Sequence, residues 1–325
     1  MVKIGIVGLG RIATEFHIPS LRRIKGASVT AICARTATDE RVKLANSLGA
    51  EFYDDYQNMV SSAALDAVYL CSPTVLHREM AITAFNRGLH IFCEKPIAMN
   101  VEEAKAMCAA GHKSGRFLFI GYNRRFSPTY RKVKQFSEQH GINLLLLEKT
   151  RGALVRSTRS EFDRRAREEA AIMGPELLEF GVHFVDLAKW ICGNVVDAHF
   201  TSSWIEGVSA YPGNGVAVFK HKNASRSMMY MTIAGGNRRE RSTALADEGT
   251  CETDGGMFGR SRVLITRGDE IEEFQSSDDP VEAGGFLQEN EYFLNVLESG
   301  QLPVDETADI IDTLALSLKW SGKDE

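Results

Sequence analysis

The first 121 residues alternate between short continuous apolar runs and longer stretches of helical spacing. The runs 2–7, 28–34, 66–71, 90–94 and 117–121 predict strands, with a short one at 51–53. The strong runs show little apolar–polar alternation, as expected when both faces of a parallel sheet are covered. Helices are predicted between them, over 12–24, 39–48, 56–62, 76–87 and 101–114. Strand and helix in alternation describe βαβ units. The expected architecture is therefore a doubly wound α/β sheet that takes ligands at the carboxyl ends of its strands.

The pattern changes near residue 122. A helix is predicted over 128–139, a strand over 142–151, and a polar, arginine-rich loop with a helical portion over 151–170. A strongly apolar helix follows at 175–192. Long segments at 195–206, 215–221, 226–234, 241–253 and 261–275 predict a mostly antiparallel sheet. Helices at 286–299 and 305–320 close the chain. The expected division is a dinucleotide-binding domain, 1–121, and an α/β domain for substrate binding and oligomerisation, 122–325.

Length and composition agree with this division. The chain has 325 residues, of which 44% are hydrophobic and 25% charged, as in an ordinary globular protein with two sizeable cores. A net charge of −5 and a pI near 6.0 argue against nucleic acid or an anionic membrane as partner. No apolar run reaches the roughly 20 residues of a membrane span. The N-terminus opens directly into a strand, which argues against a signal peptide. The six cysteines show no Cys-x-x-Cys spacing, and Cys33, Cys71 and Cys93 lie in apolar runs. A reduced, cytoplasmic setting is expected.

The chemistry starts at the first strand. Val2–Val7 runs straight into Gly8-Leu9-Gly10-Arg11-Ile12-Ala13, a Gly-x-Gly-x-x-Ala turn opening a helix. Gly8 permits the tight turn, Gly10 lets the backbone approach a pyrophosphate, and Ala13 lets helix and strand pack closely. The N–H groups at the helix start, at Arg11 and Ile12, suit the anion. The second strand ends in Arg35-Thr36, where a carboxylate would select NAD by bonding the ribose 2′-hydroxyl. Arg35 and Thr36, with Arg41 nearby, suit a 2′-phosphate, so NADP is preferred over NAD. The alternative is that Arg35 only stacks on adenine.

Two further places concentrate polar groups. Glu94-Lys95-Pro96 puts a charged pair at the carboxyl end of an apolar strand, where a nicotinamide would lie. Lys95 can donate to a substrate oxygen there, or form only a surface ion pair. On the helix 175–192, Glu179, His183 and Asp186 are spaced i, i+4, i+7 and share one narrow stripe. Such a stripe lines a polar cavity or pairs internally. A metal site is the less favoured reading, since the histidine- or cysteine-rich set typical of zinc is missing. The arginines 151, 156, 159, 164, 165 and 167 read as a solvated loop balanced by Glu161, Asp163, Glu168 and Glu169. Their functional alternative is contact with a phosphorylated or nucleotide-linked sugar.

Five motifs in order and spacing resemble the Gfo/Idh/MocA oxidoreductases. They are Gly8-x-Gly10-x-x-Ala13, Cys71-Ser72-Pro73 with His77, Glu94-Lys95-Pro96, Gly121-Tyr122-Asn123-Arg124-Arg125-Phe126, and Glu179-x-Gly181-x-His183-x-x-Asp186. The resemblance covers nearly the whole chain. It implies a Rossmann domain followed by an α/β domain with a large open-faced sheet. It also implies hydride transfer between NAD(P) and a carbinol carbon of a sugar, polyol or related compound. Ser72, Pro73, His77 and Glu94 join the cofactor set by this resemblance, and Asn123 and Arg125 the substrate set. Lys95 would sit beside the reacting carbon and His183 would exchange the hydroxyl proton. Glu179 would orient His183 or pair with Lys95. The family usually has aspartate at the Glu179 position, and many members have asparagine at Thr74. No metal is expected. The rival readings are a non-catalytic nucleotide-binding regulator and an enzyme that cleaves glycosidic bonds by transient hydride abstraction. A homodimer or homotetramer is expected through the open sheet face, which would carry methionine, tyrosine and Trp204.

Overall fold

The structure is a computed structural model. It describes residues 1–151, 164, 168, 171–172, 175–205, 212–234, 238–255, 259–303 and 306–322. The chain forms two compact units, one of Met1–Tyr122 with Phe286–Ile311, the other of Asn123–Gly285 with Asp312–Glu325.

The first unit holds a parallel sheet of β1 (Val2–Val7), β2 (Ala27–Cys33), β3 (Glu51–Tyr53), β4 (Ala67–Leu70), β5 (His90–Cys93) and β6 (Leu118–Ile120). The strand order is β3-β2-β1-β4-β5-β6, so direction of winding reverses between β1 and β4. That reversal marks the crevice where doubly wound sheets bind nucleotides. Both sheet faces are covered: Ile4, Ile6, Val68, Tyr69, Ile91 and Phe92 are fully buried. The predicted strands all form. Helices over 39–48, 56–62 and 101–114 have the expected bounds. Their starts are fixed by Thr38, Asp55 and Asn100, each accepting a backbone N–H from the first turn.

The first helix departs from expectation. Instead of a regular helix over 12–24, a π-helical turn, Ala13–His17, runs into a short helix, Ile18–Leu21. The Ile18 N–H reaches back five residues to the Ala13 carbonyl. Pro19 gives the reason. It has no N–H to offer Glu15, and in a regular helix its ring would press on that carbonyl, so the turn before it widens.

A second departure concerns the chain after residue 285. Everything beyond 121 was expected in one domain, yet the helix Phe286–Ser299 packs with the first unit. Its aromatic side chains decide this. Phe286 stacks on Phe16 at 4.4 Å, and Phe293 meets Phe92 and Tyr69 edge-on at 5.5 and 5.6 Å.

The second unit is built on an eight-stranded sheet in the order β14-β13-β12-β11-β7-β10-β9-β8. These are β7 (Leu144–Thr150), β8 (Val195–Ser203), β9 (Asn214–His221), β10 (Arg226–Thr232), β11 (Arg239–Ala246), β12 (Gly249–Gly255), β13 (Ser261–Arg267) and β14 (Glu270–Gln275). Neighbours run antiparallel except β7 and β10, which are parallel. The segments 241–253 and 261–275, read as single strands, are hairpins. Asp247-Glu248 turns the first, and Gly268, at φ +57°, helps turn the second.

One face of the sheet is covered by the helices Pro128–His140 and Glu176–Cys192. Alternation along β10 sorts its side chains: Ser227, Met229 and Met231 face the core, Met228 and Tyr230 face away. Trp320 lies in this core, fully buried, close against Gly181 and Gly215. A Cβ at Gly181 would meet the indole at 2.9 Å, which is why the Glu-x-Gly-x-His stripe needs its glycine. Of the arginine-rich stretch, Arg164 pairs with Glu168 at 2.9 Å, both exposed, as the solvated reading expects. Arg156, Arg159, Arg165, Arg167, Glu161, Asp163 and Glu169 lie outside the described residues.

Candidate functional site

The glycine turn sits at the carboxyl end of β1, beside that of β4. Gly8 has φ +89°, and a Cβ there would lie 2.4 Å from the Cys71 carbonyl oxygen and 2.6 Å from the Ser72 nitrogen. Only glycine fits. Gly10 is the converse: a Cβ there would meet nothing within 4 Å. The backbone at Gly10 thus borders open space, and Ala13 is fully buried behind it. The helix start that follows leaves early N–H groups without intrahelical partners. These residues fit a pyrophosphate.

Arg35 and Thr36 are exposed just past β2. Arg41 reaches back from the first turn of the helix over 39–48, its Nη1 donating to the Thr36 carbonyl at 2.9 Å, so a second guanidinium is anchored to this loop. His77, which the resemblance puts in the cofactor set, makes its contacts with backbone carbonyls. It is buried, with Nε2 at 2.9 Å from the Ser72 carbonyl and Nδ1 at 3.1 and 3.2 Å from those of Pro96 and Ile97. Burial pushes the imidazole below its ordinary value. His77 therefore ties the loop after β4 to the loop after β5. Ser72 is buried too, its hydroxyl against Met80. Pro73 caps the short turn Thr74–Leu76, in which Thr74 is fully buried.

Lys95 follows β5 and is half-buried. Its backbone N–H donates to the Glu94 carboxylate at 3.3 Å, and the other Glu94 oxygen lies 2.7 Å from His17 Nε2. Burial alone would raise the Glu94 carboxyl. The His17 hydrogen bond and the attraction of Lys95 outweigh it and hold the group below the usual carboxylate range.

In the second unit, the helix Glu176–Cys192 carries Glu179, half-buried, and His183, buried. Asp186, on the same stripe, is fully buried and holds Arg125 in a fork of contacts at 2.6 to 3.0 Å. Arg125 therefore ties the motif after β6 to this helix. Asn123 is likewise buried, its amide donating to the Gly284 carbonyl at 2.7 Å.

One cluster escaped the sequence reading. Arg124 grips Glu240 with two hydrogen bonds, 2.7 and 2.8 Å, and Lys149 adds a third at 2.8 Å, with the Tyr130 hydroxyl at 3.0 Å. All four are buried. Burial pushes Lys149 down to about 8 against the pull of Glu240. Burial would raise Glu240, but Arg124 and Lys149 hold it far below the usual range. The signal was present in the alternation of β7, which puts Lys149 on the inward face with Leu145 and Leu147.

No helix among the described residues is long and apolar enough to cross a membrane. Residues 2–122 match the oxidoreductase family described as having an NAD-binding Rossmann fold. The oxidoreductase YrbE of Bacillus subtilis is 31% identical over 194 residues, 59% of this chain and 54% of that one. Myo-inositol 2-dehydrogenase of Thermotoga maritima is 30% identical over 200 residues, 61% of this chain and 57% of that one. The matched stretches thus span little more than half of these two relatives. KijD10, a 3-ketoreductase of Actinomadura kijaniata solved with NADP and TDP-benzene, shares the fold. Its TM-score is 0.81 over 97% of this chain and 95% of that one, at 20% identity. The Gfo/Idh/MocA match thus covers the dinucleotide half, from Val2 to Tyr122, and the fold of KijD10 runs along almost the whole chain.

Proposed function

We propose that the protein is an NAD(P)-dependent dehydrogenase or reductase acting on a carbinol carbon of a sugar, polyol or sugar derivative. One observation carries this reading: the glycine turn at the switch point and Lys95 stand at carboxyl ends of strands in the same sheet. The bound nicotinamide supplies the hydride acceptor and donor. Lys95 donates a charge-assisted hydrogen bond to the oxygen on the reacting carbon and stabilises alkoxide character as it develops. His183 takes the hydroxyl proton in oxidation and returns it in reduction, with Glu179 orienting its ring. The backbone at Gly8, Gly10, Arg11 and Ile12 holds the pyrophosphate, and Arg35 with Thr36 favours NADP.

The myo-inositol 2-dehydrogenase relative supports a polyol or sugar as substrate. Six free cysteines, five of them buried, fit a reduced cytoplasmic setting. The test is a screen of sugars, polyols, sugar phosphates and nucleotide sugars with both cofactors, read by net formation or loss of the reduced cofactor. Net turnover is expected, faster with NADP. Tight cofactor binding without turnover on any of them would replace this reading by a regulator. Glycoside cleavage without net cofactor change would replace it by the hydrolytic reading.

A further inference from the structure

Behind the end of β5 lies a buried polar cluster that hydride transfer does not itself require. His17 comes from the π-helical turn, Glu94 from the end of β5, and Glu289 from the helix Phe286–Ser299. One nitrogen or oxygen atom from each lies within 4.8 Å of those from the other two. His17 and Glu289 are fully buried. The imidazole is walled by Phe92 at 4.9 Å, Tyr69 at 5.6 Å and Phe286 at 5.8 Å.

The hydrogen bonds order this cluster. The Asn290 amide nitrogen donates to the Phe286 carbonyl at 2.7 Å and lies 3.1 Å from His17 Nδ1. An amide nitrogen donates and does not accept, so Nδ1 accepts and the ring proton sits on Nε2. Nε2–H then donates to Glu94 at 2.7 Å, and Glu94 accepts the Lys95 N–H with its other oxygen. A chain of contacts therefore runs from the π-helical turn to the backbone of Lys95. Glu289 stands apart: neither carboxyl oxygen has a hydrogen-bond partner.

We propose that His17 is a positioning residue for Lys95, acting through the Glu94 carboxylate, and that Glu289 serves this unit as a neutral acid. The proposal rests on reading Lys95 as the group that meets the substrate oxygen. Two buried carboxylates this close do not both ionise. Glu94 keeps the charge because His17 and the Lys95 backbone donate to it. Glu289 has no donor, so burial and then the repulsion of Glu94 push it well above its ordinary value. The other titratable groups around it are Tyr69 on β4 and Cys71 just after it. Burial drives both up, so they are neutral as well. The cluster then holds a single negative charge, on the residue next to Lys95. A π-helical turn is a costly local choice that recurs at functional sites, and here it presents the residue that starts the chain of contacts.

The test compares three variants with the wild type: His17→Leu, His17→Gln and Glu289→Gln. The first readout needs no substrate and is hydrogen exchange at the Lys95 amide of the NADPH-bound enzyme. His17→Leu should raise that exchange about tenfold, while His17→Gln, whose amide replaces Nε2, stays within about threefold of wild type. Glu289→Gln, isosteric with the neutral acid, should leave exchange unchanged. The second readout is turnover at saturating cofactor. His17→Leu should lower kcat by about 10- to 100-fold with cofactor Kd held within about twofold, and His17→Gln should restore most of it. Should His17→Leu not fold, His17→Asn, which keeps the place of Nδ1 and empties that of Nε2, should give the same losses. Unchanged exchange in both His17→Leu and His17→Asn overturns the positioning role, as does His17→Gln failing as fully as His17→Leu. If Glu289→Gln loses activity, or loses a Zn²⁺ binding event measured in the wild type, the cluster needs a carboxylate and the neutral-acid assignment is overturned. If no sugar or polyol is turned over by the wild type, the exchange readout still decides the positioning of Lys95.

Discussion

Arg35 and Thr36 stand exposed where β2 ends, with the Arg41 guanidinium drawn toward them by its bond to the Thr36 carbonyl. A 2′-phosphate would meet two cations there. Arg35→Asp should weaken NADPH binding roughly 10- to 100-fold, the worth of a hydrogen bond to a charged group, and improve NADH binding. Fluorescence titration with both reduced cofactors checks this, and equal affinities in the wild type would refute the preference. At Lys95 and His183 the expected loss is catalytic. Alanine at either position should lower turnover at least about 10²-fold while leaving cofactor affinity largely intact. Near-normal turnover in either variant removes that residue from the mechanism. These residue types stand out in the sequence as charged or polar groups at the ends of apolar strands and on an apolar helix. Residues such as Asn123, His77 and Arg125 were less legible. Their motif positions pointed to ligand, while their side chains hold Gly284, the Ser72 and Pro96 carbonyls, and Asp186. Pairing partners 61 and 161 residues away in the chain leave no mark in local spacing.

Among the elements, β7 and β11 share the cluster that deserves a stability measurement. Glu240 neutralises two buried cations, so Glu240→Gln strands Arg124 and Lys149 in the core. A loss of about 3–5 kcal/mol is expected by chemical denaturation, since an uncompensated buried charge is left behind. The pH dependence has a definite sign. Glu240 is held far below its ordinary value of 4.5 in the folded chain. Its contribution is therefore present above that value and drains away as pH falls below it. Lys149, lowered from 10.5 to about 8, works the other way: the unfolded chain binds more protons between those values, so stability gains as pH rises through them. A Glu240→Gln variant whose stability falls as steeply with acid as the wild type would refute the assignment. Elements with one clear period, such as the helices over 39–48 and 101–114, were legible to the residue. The helix over 12–24 was misread because one proline inside an apolar period changes the turn before it. The hairpins at Asp247-Glu248 and Gly268-Asp269 were merged because apolar alternation resumes on both sides of a two-residue turn.

At the scale of the molecule, the large sheet of the second unit poses an unsolved burial problem. Its inner face is covered by the helices Pro128–His140 and Glu176–Cys192. Its outer face carries a groove of about 350 Å³ bordered by Leu146, Met228, Tyr230 and Leu264. Met228 and Tyr230 are 41% and 37% exposed, with Val216 at 40% beside them on the neighbouring strand. Arg241, Asp254 and Arg262 line the same groove in exposed ion pairs, with Arg241 bound to Asp254 at 3.0 Å and Arg262 to Glu273 at 2.8 Å. Exposed apolar side chains interleaved with ion pairs give a surface that a partner of the same composition can match. We propose that a second copy of the chain covers it, the same surface on both partners about a two-fold axis. Trp204, also exposed, lies just past β8 at the far edge of the same sheet. A stable pairing needs roughly 800 Å² from each partner, more than the groove alone offers, so most of the strip from β9 to β13 must take part. Light scattering at micromolar concentration should give a mass two or four times 36.0 kDa. Tyr230→Glu, which brings like charges together across a two-fold, should shift the mass toward a single chain while leaving the fold of the first unit and its cofactor binding intact. A wild-type mass near 36.0 kDa would mean that the outer face is solvated as it stands, whatever the activity measurements show.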